Sequence, residues 1–289
     1  MAEAGIVPKI RVFLEMIKFS HTIFALPFAL TGVLLAAGCI PTARQTLWSV
    51  MAMVGARTSA MALNRLIDAN IDARNPRTAG RAIPAGQIGK GITLFFIIAA
   101  TALMLFSAAM LGPLCLKLSP IAIFFLVLYS YCKRFTSLAH VVLGICLAGA
   151  PVGAWIAIRG SFDAPALLLG SAVLFWVAGF DILYALQDLE FDRKAGLHSI
   201  PVLLGVTGSL RAARLFHLIM LALLAGLVAV MHLGALFIIG SAVAAAMLMY
   251  EHWLLRNGDL AKLDAAFFNM NGYISVAILF FTAAEVLSR

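Results

Sequence analysis

Hydrophobic positions along this chain neither alternate with polar ones nor form a single helical stripe; they run on without interruption. Nine such stretches of about 20 residues, the length that crosses the hydrocarbon core of a bilayer, fall near 21–40, 45–66, 92–111, 114–132, 138–158, 164–186, 212–231, 233–254 and 265–287. Gly and Pro recur inside several of them, as membrane helices tolerate where neighbouring helices satisfy the freed backbone groups, and no strand-like alternation suggests a barrel. The pattern predicts an all-α polytopic membrane protein with about nine transmembrane helices. The first stretch begins late, contains Pro27 and runs too long for the apolar region of a signal peptide.

Composition agrees. Of 289 residues, 63% are hydrophobic and 12% charged, whereas soluble domains are roughly half apolar and a quarter charged. Fifteen of the 21 Lys and Arg lie before the first stretch or after the second, fourth, sixth and eighth; four lie on the opposite side, and Arg57 and Arg65 lie within the second. The positive-inside rule then places the N-terminus and the even-numbered exits in the cytoplasm and the C-terminus outside. The net charge of +8 is thus a topology signal, not a nucleic-acid surface, since no soluble domain exists to carry one. A single membrane domain spans residues 1–289, with no linker. Cys39, Cys115, Cys132 and Cys146 sit in or beside apolar stretches without metal-ligand spacing, as small buried residues do.

The chemistry lies in the scarce acids. They cluster at two predicted cytoplasmic helix ends, Asn64–Pro84 (NRLIDANIDARNPRTAGRAIP) and Tyr184–Pro201 (YALQDLEFDRKAGLHSIP). Asp68 and Asp72 recur 120 residues later as Asp188 and Asp192, Arg74 recurs as Lys194, and each segment continues through Ala-Gly to Ile-Pro. This is an internal duplication, and duplicated halves of membrane proteins commonly pack about a pseudo-symmetry axis with a site between them. On a helix, residues four apart lie about 6 Å apart along the axis and about 40° around it. Asn64, Asp68 and Asp72 therefore form one polar stripe and Asp188 and Asp192 another, with Asp181 about two turns earlier. Carboxylates so close to a membrane need a cationic partner. Magnesium fits, because it takes carboxylate oxygens one or two at a time and shares its other positions with substrate phosphates. A bland alternative is that the acids are solvated helix ends paired to Arg74, Arg77, Arg81, Arg193 and Lys194.

Asn64 through Asp72 and Asp188 through Asp192 resemble the NDxxDxxxD and DxxxD motifs of the UbiA superfamily of intramembrane aromatic prenyltransferases. The resemblance extends to Arg57, to RTAGRAIPAG after the first motif, to YSYCKRFT from Tyr129 to Thr136, and to the N-terminal MIKFSHTIFALPFAL. One departure is Arg65, where the family commonly has an acid.

The resemblance implies nine helices around a central cavity, cytoplasmic cap loops at about 67–91 and 187–211, and a lateral opening to lipid. It implies a Mg2+-dependent transfer, through an allylic carbocation, of a polyprenyl group from polyprenyl diphosphate to a small aromatic acceptor. Asn64, Asp68, Asp72, Asp188 and Asp192 become metal ligands, and Arg57, Lys133 and Arg134 phosphate holders. Asp181 or Asp188 becomes the base, and Lys18, His21 and Tyr184 become substrate contacts. The N-terminal and first-motif segments look closest to bacterial 4-hydroxybenzoate polyprenyltransferases of ubiquinone synthesis, which implies a bacterial inner membrane and a cytoplasmic site. A naphthoate acceptor of menaquinone synthesis is the nearest alternative. A secondary transporter shares a repeat and buried charge, but its acids belong at mid-membrane rather than beside basic loops.

Overall fold

A computed structural model describes residues 6–18, 26–256 and 270–289. Its helices are α1 (Ile6–Met16), α2 (Leu26–Ala37), α3 (Ala43–Ile67), α4 (Ala69–Asp72), α5 (Lys90–Leu111), α6 (Pro113–Cys132), α7 (Ala139–Arg159), α8 (Ala164–Ala185), α9 (Leu189–Lys194), α10 (Ile200–Met231), α11 (Ala235–Leu254) and α12 (Asn271–Leu287), with a 3-10 turn at Leu186–Asp188 between α8 and α9. No strand occurs among the described residues, so the all-α expectation holds. Among the described residues each of the nine apolar stretches holds a helix; 21–25 and 265–269 lie outside them. By length and composition, six described helices suffice to cross a membrane: α5, α6, α7, α8, α10 and α11. The other three expected spans differ. The apolar helices α2 and α12 are shorter, and α3, although 25 residues long, is diluted by Arg44, Arg57, Asn64 and Arg65.

The duplication governs the architecture. Shifted by 120 residues, α3, α4 and α6 match α8, α9 and α11 to within two residues at either end, and α5 and α10 end at the matching positions Leu111 and Met231. Packing follows the same rule, with α3 lying against α5 as α8 lies against α10, and α2 lying against α7 and α12. Helices in lipid approach closely where side chains are small. A Cβ on Gly55 would lie 2.8 Å from the Ala100 carbonyl oxygen of α5, and one on Gly144 of α7 would lie 2.5 Å from the Leu174 oxygen of α8. The main core surrounds Phe28, Trp155 and Trp176.

One expectation needs correction. The second cap loop, placed at 187–211, is mostly helical: α9 occupies Leu189–Lys194 and α10 already begins at Ile200. Pro201 is the reason, because proline is favoured in a first helical turn, where its missing N–H is not needed. Ser199 caps that turn by accepting the Val202 N–H. The helix bends at Gly205, whose φ of 66° suits a residue without a Cβ.

Candidate functional site

The two acidic segments meet at the end of the bundle where α3 and α8 terminate. In the first copy, Asp68 follows the last turn of α3 and is 2% exposed, and Asp72 closes α4 at 3%. Carboxylates this buried require charged partners. Asp68 has Lys133 at 2.6 Å and Arg134 at 3.0 Å, both from the turn after α6, and accepts from the Asn64 amide at 3.0 Å. Asp72 accepts from Arg81 at 2.7 Å, and its second carboxylate oxygen is buried without a hydrogen bond among the described residues.

The second copy is built differently. Asp188 ends the 3-10 turn, and its partners come from the first copy's loop: the Asn75 amide at 2.9 Å and Arg77 Nε at 2.8 Å, with Arg77 Nη2 paired to the other oxygen. Arg77 also donates to the Tyr184 hydroxyl at 3.2 Å and lies over its ring. Burial alone would lower the Arg77 pKa, but the hydrogen bonds and charge of Asp188 outweigh it and hold the guanidinium above its ordinary value. The Asp192 side chain makes no hydrogen bond or ion pair with the described residues, yet it feels Asp188, Lys133, His140 and Arg77 electrostatically.

The cations consequently stand between the copies. Lys133 binds Asp68 and faces Asp192, and Arg81 binds Asp72 and acts on Asp188. The Lys133–Arg134 turn is anchored on both sides: Arg134 donates to the Ile67 oxygen at 3.0 Å, and the Lys133 oxygen accepts the His198 N–H at 2.8 Å. Arg65, the departure in the first motif, points into this group, acted on by Arg81, Asp72 and Asp68, with its Nε buried and unbonded among the described residues.

The remaining candidates divide. Asp181 lies inside α8, its carboxylate 2.7 Å from His140 Nδ1, and Tyr129 interacts electrostatically with both Asp181 and Asp68. Arg57 donates to the backbone oxygens of Ile17 (3.4 Å) and Lys18 (3.2 Å), and so fastens the end of α1 to α3; no described contact joins it to the aspartates. The Lys18 side chain is exposed, and His21 lies outside the described residues. Sequence reasoning gave no site role to Asn75, Arg77, Arg81 or His140. Arg77 and Arg81 were legible only as charges near the motif, and the sequence around Asn75 and His140 carried no signal.

Among the described residues, no three His, Cys, Asp or Glu side chains are arranged as a ready metal cage. Magnesium does not need one, since one or two carboxylates plus substrate phosphates suffice. The donor set fits: hard carboxylate oxygens, an Asn amide, and the open buried oxygen of Asp72.

Comparison with known proteins places this geometry. Residues 25–273 match the model of the UbiA prenyltransferase family. A 4-hydroxybenzoate octaprenyltransferase of Vibrio cholerae is 28% identical over 97% of this chain and 98% of its own length. One of Pseudomonas aeruginosa is 31% identical over 88% and 86%. Among solved structures, a UbiA homologue from Aeropyrum pernix in its apo form aligns with a TM-score of 0.80 and 32% identity, covering 93% of this chain and 98% of that one. A UbiA homologue from Archaeoglobus fulgidus bound to DMAPP and Mg2+ aligns at 0.64 and 21% identity, covering 96% and 99%.

Proposed function

We propose, on the premise that this chain belongs to the UbiA prenyltransferase family, that it transfers a polyprenyl group from polyprenyl diphosphate to 4-hydroxybenzoate. One observation carries this reading: two acidic helix tips, related by duplication, share a set of cations at one end of a multi-pass membrane bundle. The acceptor is supported by the relatives named 4-hydroxybenzoate octaprenyltransferase, and the donor by the family relative bound to DMAPP and Mg2+.

In this reading Asp68, Asp72, Asp188 and Asp192, with Asn64, hold Mg2+, which when bound offsets charge on the departing diphosphate. Lys133, Arg134, Arg77 and Arg81 bind phosphate oxygens through charge-assisted hydrogen bonds. The prenyl C1–O bond breaks with its electron pair leaving on the diphosphate. The acceptor ring, ortho to its hydroxyl, attacks the resulting allylic cation, and the ring proton passes to Asp181 or Asp188. Tyr184, Lys18 and His21 contact the acceptor. By the positive-inside rule the site faces the cytoplasm of a bacterial inner membrane.

The test is a panel of acceptors at fixed polyprenyl diphosphate and Mg2+, with the purified protein in lipid. A prenylated 4-hydroxybenzoate together with released diphosphate is the expected product. Prenylation of a 1,4-dihydroxynaphthoate in its place would reassign the acceptor, and no adduct with any acceptor would remove the reading.

A further inference from the structure

His140 links three helices beside the acidic tips. It stands at the start of α7, 4% exposed, and spans two other helices. Its Nδ1 lies 2.7 Å from Asp181 Oδ2 on α8, and its Nε2 lies 3.4 Å from the backbone nitrogen of Ile200, the first residue of α10. The Ile200 nitrogen is one of the N–H groups that a helix start leaves without an intrahelical acceptor. A backbone N–H can only donate, so Nε2 accepts. A neutral ring accepting at Nε2 carries its proton on Nδ1, and that proton points at Asp181.

We propose that His140 is a positioning residue for proton removal: it holds the Asp181 carboxylate aimed, so that Asp181 rather than Asp188 takes the ring proton. The inference rests on the prenyl-transfer reading above and deepens it. Asp188 is engaged on both oxygens by Asn75 and Arg77, whereas among the described residues only one oxygen of Asp181 is occupied, by His140. Asp181 lies on α8 about two turns before Asp188 and so just below the acidic tip. When the new carbon–carbon bond has formed, the ring carbon that made it still bears its hydrogen. That C–H bond breaks, its electron pair restores the aromatic ring, and the proton goes to the free oxygen of Asp181 and from there to water. His140 Nδ1–H stays bonded to the other oxygen throughout.

Two measurements test it. In the full-length protein carrying 15N-labelled histidine, near neutral pH, the His140 ring, assigned by its loss in His140→Asn, should be protonated at Nδ1 and bare at Nε2. The opposite tautomer would overturn the proposal, and this readout does not depend on any acceptor being prenylated. In the transfer assay, His140→Phe should lower kcat about 100-fold, the usual worth of general acid–base help, with KM for the polyprenyl diphosphate within about twofold. His140→Asn, whose amide restores a donor near the position of Nδ1, should recover activity to within about tenfold of the parent. Equal losses in the two variants, or a rise in donor KM that accounts for the loss, would mean that His140 only holds the helices together.

Discussion

The two acidic tips descend from one sequence pattern, yet they are stabilised in opposite ways. The first is self-sufficient: Asp68 and Asp72 are almost fully buried, and their partners are Asn64 of the same helix, Arg81 of the same loop, and the Lys133–Arg134 turn. The second is dependent. Asp188 keeps a side chain 19% exposed, takes Asn75 and Arg77 from the other copy, and leaves Asp192 without a close partner among the described residues. Where the first copy has Arg65, the second has Ala185 at the corresponding place. Duplication supplied two equal sets of carboxylates, and divergence gave nearly all the cations to one of them. The first tip is thus lined with cations of its own half, and the second keeps one carboxylate, Asp192, without a side-chain partner among the described residues.

The comparison is sharpened most by an agent that acts on both halves alike. Chelation of divalent metal by EDTA is expected to bring transfer to background and added Mg2+ to restore it, measured as prenylated product. The melting temperature should stay nearly unchanged, because protein cations already pair the acids. Next in size, Asp68→Asn and Asp188→Asn should each lower kcat/KM by about 100-fold or more, as loss of a metal-directed carboxylate implies. They should part company in stability. Asp68→Asn leaves Lys133 and Arg134 without their counter-charge in a buried place, which is costly, so it should show the lower melting temperature of the two. Equal melting would break the contrast between a self-sufficient and a dependent tip. Asn75→Ala removes one hydrogen bond between the copies, and a charge-assisted bond of about 1.5 kcal/mol corresponds to about a tenfold loss in kcat/KM. The smallest effect is expected from Arg65→Gln. Removing a buried positive charge beside Asp68 and Asp72 should lower the Mg2+ concentration for half-maximal activity a few-fold, read from a magnesium titration.

Much of this was legible in the sequence because a bilayer leaves few choices: apolar runs of spanning length become helices, and each run holds one among the described residues. The aspartate stripes were legible because four-residue spacing is a local property of a helix. The contacts that make the second tip were not. Asn75 and Arg77 reach Asp188 across 113 and 111 residues of chain, and no local pattern encodes such a reach. Arg57 illustrates the same limit from the other side. A buried guanidinium marks a polar partner, but the sequence does not say that the partner is the backbone of Ile17 and Lys18. The helical part of the second cap loop was not legible from the resemblance that implied the loop, because it depends on Ser199 and Pro201 starting a capped helix.

Gly205 sets an elbow in α10, and the short arm beyond it carries Ser199 and ends next to His198. His198 grips the Lys133 carbonyl through its backbone N–H, so the arm is tied to the residue whose ammonium pairs with Asp68. The bend at one achiral residue thus sets where the start of α10 meets the turn that carries the charges of the first tip.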